Sequence, residues 1–387
     1  MLKLSFVSTP STIRLTFNNF PIFSSAEMSI ANPMTNHFVP TAIKTEYDYL
    51  LDFVKGVAII LVVLGHTFQN QTSNFDELYG FRFIYSFHMP LFAFLSGAAA
   101  AHWAVRLNAS GSLMELTGAS ISRVRKSAVH LLLPFLFWTV VAFFLSGSQE
   151  SIDQHLRKVF REAHYSLWFL PCIFWCTTFT SLFMLFFSTA KKIFETTRLG
   201  KLLRYLTPLP AQMAALLIVW LLFRKQLPDG FGFGFANFFH GGLFFFFLLG
   251  LVFFKRFINI RSVALQVFPY VIFLALVPYW HRTLDNNIIQ DAPNFLTIGL
   301  VAKKYALIVA ISGVFAIVDL SRLMYSCGIK WINVSMCFIG RASLGIYAMH
   351  FYFIDYKPPV VAAILSSLVL YQLISYIPLV RTIVLGK

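Results

Sequence analysis

Ten apolar runs, each near the length a helix needs to cross a lipid bilayer, follow one another along this chain of 387 residues. They are Leu50–Phe68, Phe83–Val105, Ala128–Leu145, Ser166–Ser188, Leu206–Phe223, Phe238–Phe254, Val263–His281, Leu296–Val318, Trp331–Ile354 and Pro359–Val380. With 58% hydrophobic and 12% charged residues and a mean hydropathy of +0.70, the composition excludes a soluble globular chain. The connections between runs are too short for a soluble domain of ordinary size. The expected fold is all-α: a polytopic integral membrane protein with about ten transmembrane helices.

Lysine and arginine set the expected orientation. With the N-terminus inside, the cytoplasmic segments carry roughly twice as many of them as the outer segments. Both termini are therefore expected in the cytoplasm. The net charge of +15 is mainly this topology signal, with attraction to anionic lipid headgroups as a second effect. The basic residues are spread over many short loops, which argues against a nucleic-acid partner. Residues 1–45 contain no long apolar run and are expected to form a disordered tail without a cleavable signal, followed by one membrane domain over 46–387. Cys172, Cys176, Cys327 and Cys337 lack the spacing and companion ligands of a metal site, so they read as packing and no metal is expected. The runs Gly230-Phe231-Gly232-Phe233-Gly234-Phe235 and Phe244-Phe245-Phe246-Phe247-Leu248-Leu249-Gly250 read first as lipid-facing bulk with close helix contacts at the glycines, and the alternation also as a flexible or re-entrant external loop.

Charged groups within a span are costly unless they face protein, pair or lie near an interface. In the first run, Asp48, Asp52, Lys55 and His66 fall within an arc of roughly 60° at 100° per residue. That stripe is expected to face the bundle. Asp52 and Lys55 belong at the cytoplasmic end. His66 belongs near the outer end, about 21 Å beyond Asp52 at ~1.5 Å per residue. Taken singly, Asp52 and Lys55 make an ordinary i,i+3 ion pair, and His66 a hydrogen-bonded interface histidine. The second helix opens with Phe87-His88-Met89-Pro90-Leu91-Phe92, which sets His88 at the depth of His66, and continues to Ser96-Gly97, small residues suited to close helix contact. Leu167-Trp168-Phe169-Leu170-Pro171 starts the fourth helix on the same side, where Trp168 suits an aromatic belt. In the ninth run Ser343, Tyr347 and His350 share a face at i, i+4 and i+7. Three histidines from three helices thus converge on one depth, and an imidazole can take a hydroxyl proton there. Arg123, Arg125, Lys126 and His130 precede or enter the third helix on the cytoplasmic side. They serve either as a positive-inside anchor or as a seat for phosphates.

The first-helix motif, the Phe-His-Met-Pro-Leu-Phe and Leu-Ser-Gly blocks, the basic residues before Leu131-Leu132-Leu133-Pro134, the Leu-Trp-Phe-Leu block and the Gly340-to-His350 block occur in a particular order. Together they resemble the acyltransferase-3 family of membrane O-acyltransferases, especially its fucose-4-O-acetylase-like branch, from about Tyr47 to the end. The resemblance implies a ten-helix core that moves an acyl group, usually acetyl from acetyl-CoA, to a hydroxyl of a cell-surface or exported glycan at the bacterial cytoplasmic membrane. It implies that His66 is catalytic. It associates Lys126 and His130 with the acyl donor, His130 standing where arginine is usual, with Arg123 and Arg125 beside it.

The combined expectation is an O-acetyltransferase. His66 and Asp52 are its catalytic residues; Lys55, Arg123, Arg125, Lys126 and His130 bind the donor; and His88, Ser96, Trp168, Ser343, Tyr347 and His350 stand on the acceptor side or support it. Acetyl-CoA is a co-substrate with no resident cofactor, the acceptor a lipid-linked or exported sugar, and the other partners are membrane lipids. The alternative is a transporter or flippase whose buried histidines and charges relay protons.

Overall fold

The structure is a computed structural model that describes residues 49–109, 113–147, 150–162, 167–223, 238–282 and 299–387, and in them helix occupies every one of the ten expected runs. The expected tail, Asp48 and the Gly230-to-Phe235 alternation lie outside the described residues. In chain order the helices are α1 (Tyr49–Gln71), α2 (Tyr79–Tyr85), α3 (His88–Ala109), α4 (Leu113–Ser127), α5 (Leu133–Leu145), α6 (Ile152–Arg161), α7 (Phe169–Ile193) and α8 (Arg198–Tyr205). They continue with α9 (Leu209–Phe223), α10 (Gly241–Ile258), α11 (Val263–Leu276), α12 (Gly299–Ser326), α13 (Lys330–Arg341), α14 (Ser343–Met349), α15 (Pro359–Ser375) and α16 (Pro378–Leu385). Among the described residues six helical stretches are long and apolar enough to cross a bilayer, or seven when α13 and α14 count as one bent span. Three shorter apolar helices, Leu209–Leu222, Val263–Tyr279 and Pro359–Ser375, fill the other expected positions. Large apolar side chains such as Phe144, Phe186, Leu222, Phe268 and Leu365 are exposed. An outward-facing apolar coat of this kind suits hydrocarbon as solvent. This is a multi-pass integral membrane protein.

Two glycine crossings hold the bundle at its closest points. On α3 and α10, a Cβ added to Gly97 would run into the Phe247 carbonyl, and one on Gly250 into the Phe94 carbonyl. On α1 and α13, a Cβ on Gly56 would meet the Met336 carbonyl and one on Gly340 the Asp52 carbonyl. In a bilayer, where apolar side chains gain little by leaving lipid, such backbone approach supplies much of the packing energy.

Two elements differ from the sequence reading, each for a local reason. The third span begins at Leu113, not Ala128, and runs helically to Leu145. Arg123, Arg125 and Lys126 are therefore helical residues of α4, joined to α5 by a π-turn over Ala128–Leu132. Pro134 follows in the first turn of α5; its missing N–H frees the carbonyl of His130 four residues back. Against that carbonyl packs the backbone of Gly386, which caps α16 with φ +67. The ninth run is also not one straight helix. It bends by 62° between α13 and α14, at Ala342 between Gly340-Arg341 and Ser343, a small-residue break without proline. The bend lets α13 stay locked on α1 through Gly340 while α14 turns toward α15.

Candidate active site

Polar groups gather at the two ends of α1. At the first end Asp52 is buried, 5% exposed, and Lys55 Nζ lies 3.5 Å from its Oδ1. Lys55 and Arg123 both stand within electrostatic reach of His130, whose Nδ1 donates to the Gly386 carbonyl at 2.8 Å. The Arg123 guanidinium lies over the Trp103 ring, 5.4 Å from its centroid, and its Nε is buried without a hydrogen-bond partner. Arg125 and Lys126, one turn from the π-turn, are exposed. The structure thus brings Lys55, Arg123 and His130 together and leaves Arg125 and Lys126 on the rim. A patch of this kind, basic and only partly satisfied, can hold an anion.

The second end carries the histidines. His66 Nδ1 is 2.7 Å from Gln69 Oε1 and 3.1 Å from Tyr85 Oη; Tyr85 also donates to Gln69 Oε1 at 2.6 Å. The His350 ring centroid is 5.3 Å from that of His66, and the Phe351 ring lies 4.6 Å from His66 and 4.1 Å from His350. His88 reaches the group through Tyr85, ring to ring at 4.3 Å. Convergence of the three histidines, expected from depth alone, is therefore present. Their roles differ in kind. His88 Nδ1 donates to the Ile84 carbonyl at 3.2 Å. His350 Nδ1 donates to the carbonyls of Ile346 and Tyr347 at 3.0 and 2.9 Å, leaving its buried Nε2 without a partner.

Of the other expected site residues, Tyr347 borders the cluster and the rest stand elsewhere. Asp52, fourteen residues before His66 on the same helix and so about 21 Å away, pairs with Lys55 and cannot orient the imidazole. Ser96 Oγ donates to its own helix at the Phe92 carbonyl, 2.8 Å, which turns it away from chemistry. Trp168 packs edge-on against His240 at 4.7 Å. Ser343 opens α14 just past the bend. Tyr347 lies between Phe169 and His350, at 6.1 and 6.2 Å. The sequence reading missed Gln69 and Tyr85. A signal for both was present, since Gln69 is i+3 from His66 on one helix face and Tyr85 lies three residues before His88.

Beyond His66, one turn along α1, a cleft of about 590 Å³ opens between Thr67, Asn70 and Gln71 and the segment Ile354, Asp355, Lys357, Pro358 and Pro359. Asn70 Nδ2 donates to Asp355 across it. Amide, carboxylate and ammonium groups line one mouth, the inventory that hydroxyl-rich molecules need.

The bundle thus carries a basic patch at one end of α1 and an imidazole cluster at the other. The family described as "Acyltransferase domain" (Acyl_transf_3) matches residues 48–380, and the chain belongs to that family, as the ordered motifs suggested. It is similar to the "Nodulation protein NolL" of Sinorhizobium fredii, 37% identical over 151 residues that cover 36% of this chain and 37% of that protein. A second similarity is to the "Nodulation protein NolL" of Mesorhizobium japonicum, 32% identical over 135 residues, 33% of each chain. The aligned stretches thus span about a third of these curated relatives' length. No solved structure matches the chain.

Proposed function

We propose that this protein is a membrane O-acyltransferase that moves an acyl group, acetyl in the simplest case, from cytoplasmic acyl-CoA to a hydroxyl of a lipid-linked or exported sugar. The observation that carries this reading is the pairing of two unlike polar clusters along one helix of an acyltransferase-family bundle. Lys55 and His66 are eleven residues apart, about 16 Å along α1, a distance an extended pantetheine arm can cover. In this reading the Lys55 end faces the cytoplasm. Arg123, His130 and Lys55 hold the phosphates of the donor, with Arg125 and Lys126 at the entrance, while Asp52 keeps Lys55 in place. The cleft beyond His66 receives the sugar, and His88, Tyr347 and His350 wall the reaction space.

The chemistry follows from the groups present. The His66 imidazole takes the proton of the sugar hydroxyl as its oxygen attacks the thioester carbonyl. The tetrahedral intermediate collapses with cleavage of the carbon–sulfur bond, and the imidazolium returns the proton to the leaving thiolate. The products are an ester and free coenzyme A. A covalent acyl-enzyme through Ser96 has no support in the geometry, because its hydroxyl is committed to the Phe92 carbonyl.

The test is coenzyme A release by purified protein in detergent, which should depend on a glycan acceptor. Acceptor flux across a membrane without thioester loss would instead identify a carrier with a proton relay. A donor-side variant sharpens it. Replacing Arg125 and Lys126 together with glutamine leaves the fold intact, since both side chains are exposed. It should raise the KM for acetyl-CoA about tenfold, the effect of losing one charge-assisted hydrogen bond worth about 1.5 kcal/mol, with kcat little changed. An unchanged KM would remove the donor entrance from this place.

A further inference from the structure

An imidazole serves as a base only through a nitrogen that carries no proton, so something must fix which nitrogen that is. Two groups lie within reach of His66 Nδ1, Gln69 Oε1 and Tyr85 Oη. The Oε1 of Gln69 is the acceptor for Nδ1–H at 2.7 Å, and the same oxygen accepts the Tyr85 hydroxyl at 2.6 Å. An amide oxygen has two lone pairs, so both are used inside the protein and none is left for substrate. Tyr85 in turn is clamped. Its ring stacks on Phe81 at 3.9 Å, and it lies so close to α1 that a Cβ on Gly65 would sit 2.8 Å from its Cε2. Gly65 therefore makes room for the ring that fixes the amide beside the next residue, His66.

We propose that Gln69, held by Tyr85, is the positioning residue that sets the His66 tautomer: it accepts the Nδ1–H bond and leaves Nε2 bare as the nitrogen that meets the sugar hydroxyl. This assignment rests on the reading of His66 as the base, yet its structural half stands independently of activity. The device differs from the carboxylate that orients the histidine of hydrolase triads. An amide fixes the tautomer without adding a buried negative charge, and Asp52, the acidic group on this helix face, is out of reach.

The experiment is ¹⁵N NMR of histidine-labelled protein in detergent, with the His66 signals assigned by their loss in His66→Asn. In the wild type a single His66 tautomer is expected, protonated at Nδ1 and bare at Nε2. Gln69→Leu should give a mixture of tautomers and lower kcat about a hundredfold, with the KM for acetyl-CoA changed less than twofold. Gln69→Glu, which can accept the same two bonds, should restore the single tautomer and most of the rate. Tyr85→Phe keeps the ring and removes the hydroxyl that contacts both Gln69 Oε1 and His66 Nδ1, so a minor second tautomer should appear even if the leucine variant does not fold. A wild-type His66 protonated at Nε2, or an undisturbed tautomer in both Gln69→Leu and Tyr85→Phe, would overturn the assignment. Failure of the wild type to transfer acyl groups would count against the proposed function, while the tautomer result would still decide the role of Gln69.

Discussion

Gly250→Val should leave little folded protein after detergent extraction, and the fraction that survives should melt well below the wild type. A side chain there meets the backbone of Phe94, not the tip of a flexible neighbour, and Gly97 on the facing helix is pressed against Phe247 in the same way. Neither helix can yield without moving the other. Overpacking commonly costs about 1–3 kcal/mol; a backbone collision at a reciprocal crossing belongs at or above the top of that range, because the van der Waals contacts of the whole α3–α10 seam are lost together. Gly242→Ala, eight residues earlier on α10 where an added Cβ would meet nothing within 4 Å, is the control and should melt like the wild type. Equal melting of Gly250→Val and Gly242→Ala would mean that the two helices do not meet as described.

His66→Asn is the substitution with the largest expected effect on activity. Asparagine can still bond Gln69 or Tyr85, so the bundle should remain folded with an unchanged melting transition. It cannot take a hydroxyl proton. General acid–base catalysis contributes about 10²–10⁴-fold, and transfer should fall by about a thousandfold or more while acyl-CoA binding persists at the far end of the helix. Substantial turnover in a folded His66→Asn protein would take the chemistry away from this imidazole.

What the sequence made legible, and what it concealed, follows the physics of each signal. Hydrophobic length located the helices, because a bilayer imposes that length on every crossing. The polar stripe of α1 and the common depth of His66 and His350 were readable from helical period alone. The start of the third span was hidden because α4 carries Glu115, Arg123, Arg125 and Lys126, so its helix has no hydropathy signature. The bend at Ala342 was hidden because no proline marks it. Asp52 drew attention through its charge, whereas the group beside His66 is the neutral Gln69, whose role depends on where a second helix places Tyr85. At the glycines the small side chain itself was the signal: close contact was expected at Gly97 and Gly250, and what the sequence could not supply was that each is the other's partner.

The most direct measurement is sided acyl transfer in sealed vesicles of one orientation, with acetyl-labelled acetyl-CoA supplied to either face and a membrane-impermeant glycan acceptor to the opposite one. Label in the glycan is expected when the thioester is given to the face bearing Arg123, Lys126 and His130, and none when the two substrates are exchanged. Equal labelling from both arrangements, or label that requires both substrates on one face, would contradict transfer along α1 from its basic end to His66.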